Sequence, residues 1–77
     1  MKLTHSELES KINEYVDESY AFGDSEGKLI ENVLKSLKIM LNESNGINKE
    51  ILTEAANNSQ GESKYIIEDF ILYLENI

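Results

Sequence analysis

The amino-acid sequence predicts an all-α fold, a compact four-helix bundle with three longer helices and one short third helix. Apolar residues recur at helical spacing in four segments, and a capping residue precedes each segment. The chain has no proline, and no alternating pattern typical of a strand is present. The 77 residues contain no linker long enough to divide them, so residues 1–77 are predicted to form a single helical domain.

The first helix is predicted to begin with a capping box, in which Thr4 is the N-cap and Glu7 lies three residues further on. The helix is expected to extend to about Ala21, and Gly23 is the residue predicted to end it. Its apolar face consists of Leu8, Ile12, Tyr15 and Val16. These positions follow the helical period, so one side of the helix should be buried.

The second helix has the widest apolar stripe and is predicted to be the central helix of the core. Asp24 or Ser25 can cap its N-terminus, and Asn45-Gly46 is expected to end it. The stripe consists of Leu29, Ile30, Val33, Leu34, Leu37, Met40 and Leu41. On the opposite face, Glu31 and Lys35 stand at the spacing of a helix-supporting ion pair.

Two further helices complete the predicted fold. Asn48 can cap a short third helix, and the spacing of Ser59 and Glu62 predicts a capping box for the fourth. The third helix has an apolar edge formed by Ile51, Leu52, Ala55 and Ala56. The fourth has an apolar face formed by Ile66, Ile67, Phe70, Ile71, Leu74 and Ile77.

The charge of the chain is the main indication of its partners. Fifteen acidic residues against seven lysines, with no arginine, give a net charge of −8. DNA, RNA and anionic membranes would repel such a chain, so we expect no direct contact with nucleic acid or membrane. A basic protein surface is the complementary partner, although the charge could also serve solubility alone.

The remaining composition favours a cytoplasmic protein without catalytic machinery. The chain has no cysteine, its N-terminus is polar, and no apolar run approaches the roughly 20 residues of a membrane span. His5 is the single histidine and is expected to be exposed to solvent, since no partner for a triad or metal site is near it in sequence. The acids at Asp24–Gly27 lack the spacing of a calcium loop. We therefore expect no enzymatic activity, no metal and no cofactor.

Two groups of residues are candidates for partner contacts. Glu50 and Glu54 share one face of the short helix at i, i+4 spacing, where like charges repel each other. Tyr65, Asp69 and Tyr73 form a stripe beside the apolar face of the fourth helix. Tyrosine flanked by acids suits an interface with a basic protein, whereas tyrosines that only border the core are the alternative.

The layout resembles the small acidic immunity proteins that neutralise colicin-type nuclease toxins. Residues 20–29, which run from the first helix into the second, resemble the corresponding passage of that family. Residues 43–46 and 58–61 are similar to the turns that close its second helix and precede its fourth. The resemblance implies an inhibitor that binds a basic bacterial toxin and blocks its active site or substrate surface.

The resemblance also implies particular contact residues. Glu26 at the start of the second helix and Glu50 on the short helix stand at positions of acidic contacts in the family. The family has a tyrosine pair on the short helix, where this chain has Glu50, Ile51 and Leu52. The partner-binding residues predicted from the sequence and the resemblance are Glu26, Glu50, Glu54, Tyr65, Asp69 and Tyr73.

Two other functions stay open at this point. The chain is also similar in size, charge and helix layout to acyl carrier proteins, and Asp24-Ser25 stands where that family has its Asp-Ser-Leu attachment serine. However, Glu26 replaces the leucine, and the loop between the first two helices is short. Alternatively, Phe22, Ile39 and Ile77 could form an exposed patch for self-association. We expect a monomer or a weak dimer.

Overall fold

The computed structural model describes residues 1–76, and it is built mainly of helix. The elements in chain order are β1 (Lys2–Leu3), α1 (His5–Tyr20), α2 (Asp24–Met40), β2 (Ile47–Asn48), α3 (Lys49–Asn57) and α4 (Glu62–Glu75). These elements pack into one globule with a radius of gyration of 11.5 Å. The prediction of a mostly helical protein with four helices is therefore confirmed.

A small antiparallel sheet joins the N-terminus to the segment before α3. Lys2 is paired with Asn48, and Leu3 is paired with Ile47, which is fully buried. The sequence predicted no strand, and that prediction was wrong. Each strand has only two residues, which is too short for the alternation of polar and apolar residues that identifies strands.

Two of the predicted helix N-caps are confirmed by their hydrogen bonds. Thr4 Oγ1 accepts from the Glu7 N–H at 3.1 Å, and Glu7 Oε1 accepts from the Thr4 N–H at 2.9 Å, which completes the capping box of α1. Asn48 Oδ1 accepts from the Ile51 N–H at 2.8 Å at the start of α3.

The N-terminus of α2 differs from the prediction. Its N-cap is Gly23, with φ of 134°, and no side chain caps it. Asp24 and Ser25 therefore lie in the first turn as helical residues and not as caps. The same glycine was expected to end α1, but α1 ends at Tyr20 and its C-cap is Ala21. Glycine adopts this positive φ without strain, and Gly23 thereby turns the chain from α1 into α2.

The N-terminus of α4 and the C-terminus of α2 also differ from the prediction. Gly61, with φ of 62°, is the N-cap of α4, so Ser59 and Glu62 form no capping box. The Ser59 hydroxyl instead donates to the Ala55 carbonyl at 2.9 Å, which places Ser59 at the end of α3. α2 ends at Met40, earlier than the expected stop at Asn45-Gly46.

The core lies where the four apolar faces meet. Its fully buried large side chains are Leu8, Leu34, Leu37, Ile47, Leu52, Ile67 and Phe70. Leu29 and Met40, which the stripe of α2 included, are 41% and 53% exposed because they lie at its margin. The predicted core residue Ile77 lies outside the described residues.

His5 is half-buried, which corrects the expectation that its side chain is exposed. His5 Nε2 is 2.6 Å from the Ser44 carbonyl oxygen, so the two form a hydrogen bond. This bond links the first turn of α1 to the segment between α2 and β2 and lies next to the β1–β2 pair. His5 therefore has a structural partner.

Candidate functional site

Three aromatic rings join α1 to α4. The Tyr15 ring meets the Phe70 ring edge-on, with centroids 5.4 Å apart, and meets the Tyr73 ring at 4.9 Å. Phe70 is fully buried, whereas Tyr15 and Tyr73 are half-buried. Aromatic pairs prefer edge-to-face geometry, which stabilises this arrangement of rings. The buried Phe70 therefore contacts two tyrosines that reach the surface.

Carboxylates from three helices act electrostatically on Tyr15. Burial raises the pKa of Tyr15, and the negative charges of Asp69 (α4), Glu18 (α1) and Glu26 (α2) raise it further. All three carboxylates therefore act on one hydroxyl, although they are far apart in sequence. We call Tyr15, Glu18, Glu26, Asp69 and Tyr73 the acidic tyrosine surface.

Within residues 1–76, no ion pair neutralises the carboxylates Glu18, Glu26 and Asp69 of the acidic tyrosine surface. Residues 1–76 contain four ion pairs, Lys11–Glu14, Lys35–Glu31, Lys38–Glu9 and Lys49–Glu75. None of these pairs includes Glu18, Glu26 or Asp69. Lys11 is the lysine of α1, the helix that contributes Tyr15 and Glu18, and it pairs with Glu14 at 3.4 Å. The three carboxylates are therefore available to lysine or arginine side chains of another molecule.

Tyr73 contributes a hydroxyl at the border of this surface. Its Oη donates to Glu14 Oε2 at 3.4 Å. Desolvation raises the pKa of Tyr73 first, and the charges of Glu18 and Glu14 raise it further. Both tyrosines therefore keep their protons at neutral pH, and each offers an apolar ring and a hydroxyl donor to a partner.

Within residues 1–76, no group of three or more His, Cys, Asp or Glu side chains could hold a metal ion. That same part of the chain has no buried side-chain polar atom without a hydrogen-bond partner. None of its helices is long and apolar enough to cross a membrane.

The six predicted contact residues fall into two groups. Glu26, Asp69 and Tyr73 belong to the acidic tyrosine surface, and Tyr65 lies one turn before Asp69 on α4, with 66% of its surface exposed. The exposed Glu50 and Glu54 lie on α3.

Glu54 lies far from Glu26, whereas Lys49, next to Glu50, pairs with Glu75 at the C-terminal end of α4 at 3.1 Å. Glu54 lines a shallow groove together with Met40, at the C-terminal end of α2. Met40 is 14 residues beyond Glu26 in the same helix, about 21 Å at ~1.5 Å per residue. The sequence therefore identified residues of two surfaces.

The sequence did not identify Tyr15 and Glu18 as partners of Asp69 and Tyr73. Tyr15 fits the apolar stripe of α1, and Glu18 lies outside that stripe. A tyrosine with an acid three residues later on the same helix is a weak signal. The contact of Tyr15 with α4 depends on how α1 and α4 pack against each other. The residues of α1 alone do not specify that packing.

Tyr20, the other tyrosine of α1, has a structural role. Its hydroxyl donates to Glu31 Oε1 at 2.8 Å, and Glu31 also pairs with Lys35 at 3.0 Å, which confirms the predicted Glu31–Lys35 pair. The hydrogen bond from Tyr20, followed by the one from Lys35, lowers the pKa of Glu31. The Tyr20 ring lies directly over Gly27. Tyr20 thus ties α1 to α2.

The residues of the alternative functions are also placed by the fold. Ser25 is exposed in the first turn of α2, between Asp24 and Glu26. Phe22 and Ile39 are 83% and 76% exposed. They flank opposite ends of α2, about 20 Å or more apart, so these two side chains do not share a patch. Ile77, the third residue of the predicted patch, lies outside the described residues.

Comparison of the chain with protein-family models, with curated proteins and with solved structures found no match. The functional argument therefore rests on the geometry and the charge of the chain itself.

The tyrosine environments predict loss of stability at high pH. The hydrogen bond to Glu31 raises the pKa of Tyr20, and burial raises the pKa of Tyr15 and Tyr73. A pKa that is higher in the folded state favours folding below about pH 10, and this contribution is lost as pH rises through the folded-state value. We expect the free energy of unfolding to fall above about pH 10.

Urea unfolding from pH 7 to pH 11 measures this effect, and absorbance at 295 nm reports tyrosinate formation. Lysines titrate in the same range, so the variant Tyr73→Phe isolates the tyrosine contribution. Its stability should fall less steeply with pH than that of the unchanged protein. Equal slopes for the two proteins would show that the Tyr73 environment does not affect the pH dependence.

Proposed function

We propose that this protein is an inhibitor that binds a basic protein, and that it acts as an immunity protein against a nuclease-type bacterial toxin. The observation that carries the proposal is the acidic tyrosine surface. Glu18, Glu26 and Asp69 come from three helices, have no lysine partner within residues 1–76, and all raise the pKa of the half-buried Tyr15, whose ring meets Tyr73 at 4.9 Å. Charge and aromatic area together are typical of surfaces that bind basic proteins tightly.

The proposed mechanism has two steps. The net charge of −8 attracts the basic partner and increases the rate of encounter. The acidic tyrosine surface then docks, with Tyr15 and Tyr73 covered by apolar contact and the carboxylates paired with lysine or arginine. The bound inhibitor blocks substrate from the toxin. Blocking requires shape and charge and no catalytic group, so it needs neither metal nor cofactor.

Support for a toxin as the partner comes from charge and layout. Nuclease domains are basic because they bind a polyanion, so an acidic inhibitor complements the substrate surface itself. The chain resembles colicin-type immunity proteins in the passage between its first two helices. In this proposal the short third helix carries Glu50 and Glu54 as a second acidic edge, and the protein acts in the cytoplasm.

Charge reversal tests the proposal and ranks the two acidic groups. We expect Glu26→Lys and Asp69→Lys each to weaken binding to the toxin by about tenfold or more, because each removes an attraction and adds a repulsion. Glu50→Lys should have a smaller effect, since Glu50 is not among the carboxylates that act on Tyr15. Glu43→Lys is the matched control, because Glu43 is exposed and lies beyond α2, outside both groups.

The binding partner for this test is a candidate basic nuclease-type toxin domain, with affinity measured by titration calorimetry at about 0.05 M and 0.3 M salt. The affinity of the unchanged protein should fall at the higher salt concentration, and that of Asp69→Lys should fall less. Binding that is insensitive to salt and unchanged by Glu26→Lys, Asp69→Lys and Glu50→Lys would exclude electrostatic capture.

A further inference from the structure

The outer face of α4 carries two large apolar side chains at the surface. Tyr65 is 66% exposed and Leu72 is 56% exposed. They are seven residues apart, which places them on one face of the helix, two turns apart. Apolar side chains at i and i+7 on one helix face have the spacing by which helices anchor to a partner.

Acidic residues occupy the turn between these two side chains. Glu68 and Asp69 are exposed between Tyr65 and Leu72, and neither takes part in an ion pair within residues 1–76. Asp69 also acts on Tyr15, so the outer face of α4 is continuous with the acidic tyrosine surface. The complete face therefore combines apolar anchors with negative charge, and a partner for it must be apolar and basic.

We propose that the partner docks on this face with a basic amphipathic helix that lies along α4. This inference rests on the proposed function and specifies the element that the partner supplies. In that helix, apolar residues at helical spacing meet Tyr65 and Leu72, and lysine or arginine residues beside them meet Glu68 and Asp69.

The spacing along α4 explains why the partner element is a helix. Tyr65 and Leu72 are separated by about 10.5 Å along the axis at ~1.5 Å per residue. Residues i and i+7 of a second helix have the same separation, so both ends of the face are contacted at once. In an extended strand, side chains on one face repeat about every 6.8 Å, so residues two or four positions apart miss this distance.

The charge of the face argues against a second copy of this chain as the occupant. Self-association through α4 would bring Glu68 and Asp69 of both copies together, in a protein whose net charge is already −8. Like charges placed opposite each other oppose association.

Two synthetic peptides of about 18 residues test the proposal. Both contain leucine and lysine in identical composition. One peptide repeats its leucines at the helical period, and the other alternates leucine with lysine at the period of a strand. Fluorescence anisotropy at low micromolar peptide and about 0.1 M salt gives the affinities, and circular dichroism reports whether the bound peptide is helical.

We expect the helical-period peptide to bind at least about tenfold more tightly than the alternating peptide. Leu72→Ala should weaken its binding by about fivefold, because it removes one anchor without changing the charge. Ile39→Ala is the matched control, since it removes an even more exposed apolar side chain from the C-terminal turn of α2 and should change affinity less than about twofold.

Other outcomes overturn the proposal. Equal affinity for the two peptides, with both weakened by Asp69→Lys, would reject a helical partner and leave the basic partner of the proposed function intact. Equal effects of Leu72→Ala and Ile39→Ala would show that α4 is not the docking face. A dimer of this protein in sedimentation, dissociated by Leu72→Ala, would assign the face to a second copy. Failure of both peptides to bind would also count against a helix on α4.

Discussion

Replacing Phe70 with alanine is expected to lower the free energy of unfolding by about 3–5 kcal/mol. Phe70 is fully buried and is the largest such side chain in the core. The substitution removes its transfer free energy and leaves a cavity between α4 and α1. A domain of 77 residues has a total stability of about 4–12 kcal/mol, so this single change removes a large part of it. Urea unfolding followed by circular dichroism gives the value.

The same substitution should also disturb the acidic tyrosine surface. Phe70 supports the Tyr15 ring from below, with centroids 5.4 Å apart, and stacks beside Tyr73 at 6.3 Å. Phe70→Leu is the control, because it keeps most of the apolar volume and should cost less than Phe70→Ala. A loss below about 1 kcal/mol for Phe70→Ala would contradict the assignment of Phe70 to the core.

Replacing Gly27 with alanine is expected to cost about 1–2 kcal/mol, despite the better helix propensity of alanine. Gly27 is buried within α2, and a Cβ built on it would lie 2.5 Å from the Tyr20 ring. The ring would have to move, and the hydrogen bond from Tyr20 to Glu31 would be strained or lost. Thermal and urea unfolding of the variant measure the loss.

A double-mutant cycle with Tyr20→Ala separates the steric cause from other effects. When the ring is absent, Gly27→Ala should become neutral or stabilising, because only the gain in helix propensity, up to about 1 kcal/mol, remains. Losses that add independently in the double variant would show that Gly27 and Tyr20 do not compete for the same space.

The helices could be predicted because their signals are local. The capping box of Thr4 and Glu7, the Asn48 cap and the apolar stripes all lie within single segments, and each is present in the structure. The β1–β2 pair and the glycine caps could not be predicted in the same way. The β1–β2 pair depends on a contact between distant segments of the chain. The glycine caps depend on backbone angles, and the polar residues next to these glycines were equally possible caps.

The candidate site could be predicted only in part, for the same reason. Asp69 and Tyr73 lie on one helix at i, i+4 spacing, so sequence alone groups them. Glu26 joins them through the packing of α2 against α1, where it acts on Tyr15, and Tyr15 joins through its contact with Tyr73 of α4. Nothing in the sequence of one helix specifies which acids of the other helices lie beside it.

The central claim is that the acidic tyrosine surface binds a basic toxin and blocks its activity. The most direct test titrates a candidate basic nuclease-type toxin domain with the protein and records DNA cleavage. The proposal predicts that cleavage stops at about one molecule of inhibitor per nuclease, and that Asp69→Lys requires about tenfold more protein at the same salt concentration. Cleavage that continues at full rate in excess protein, or inhibition by Asp69→Lys equal to that by the unchanged protein, would contradict it.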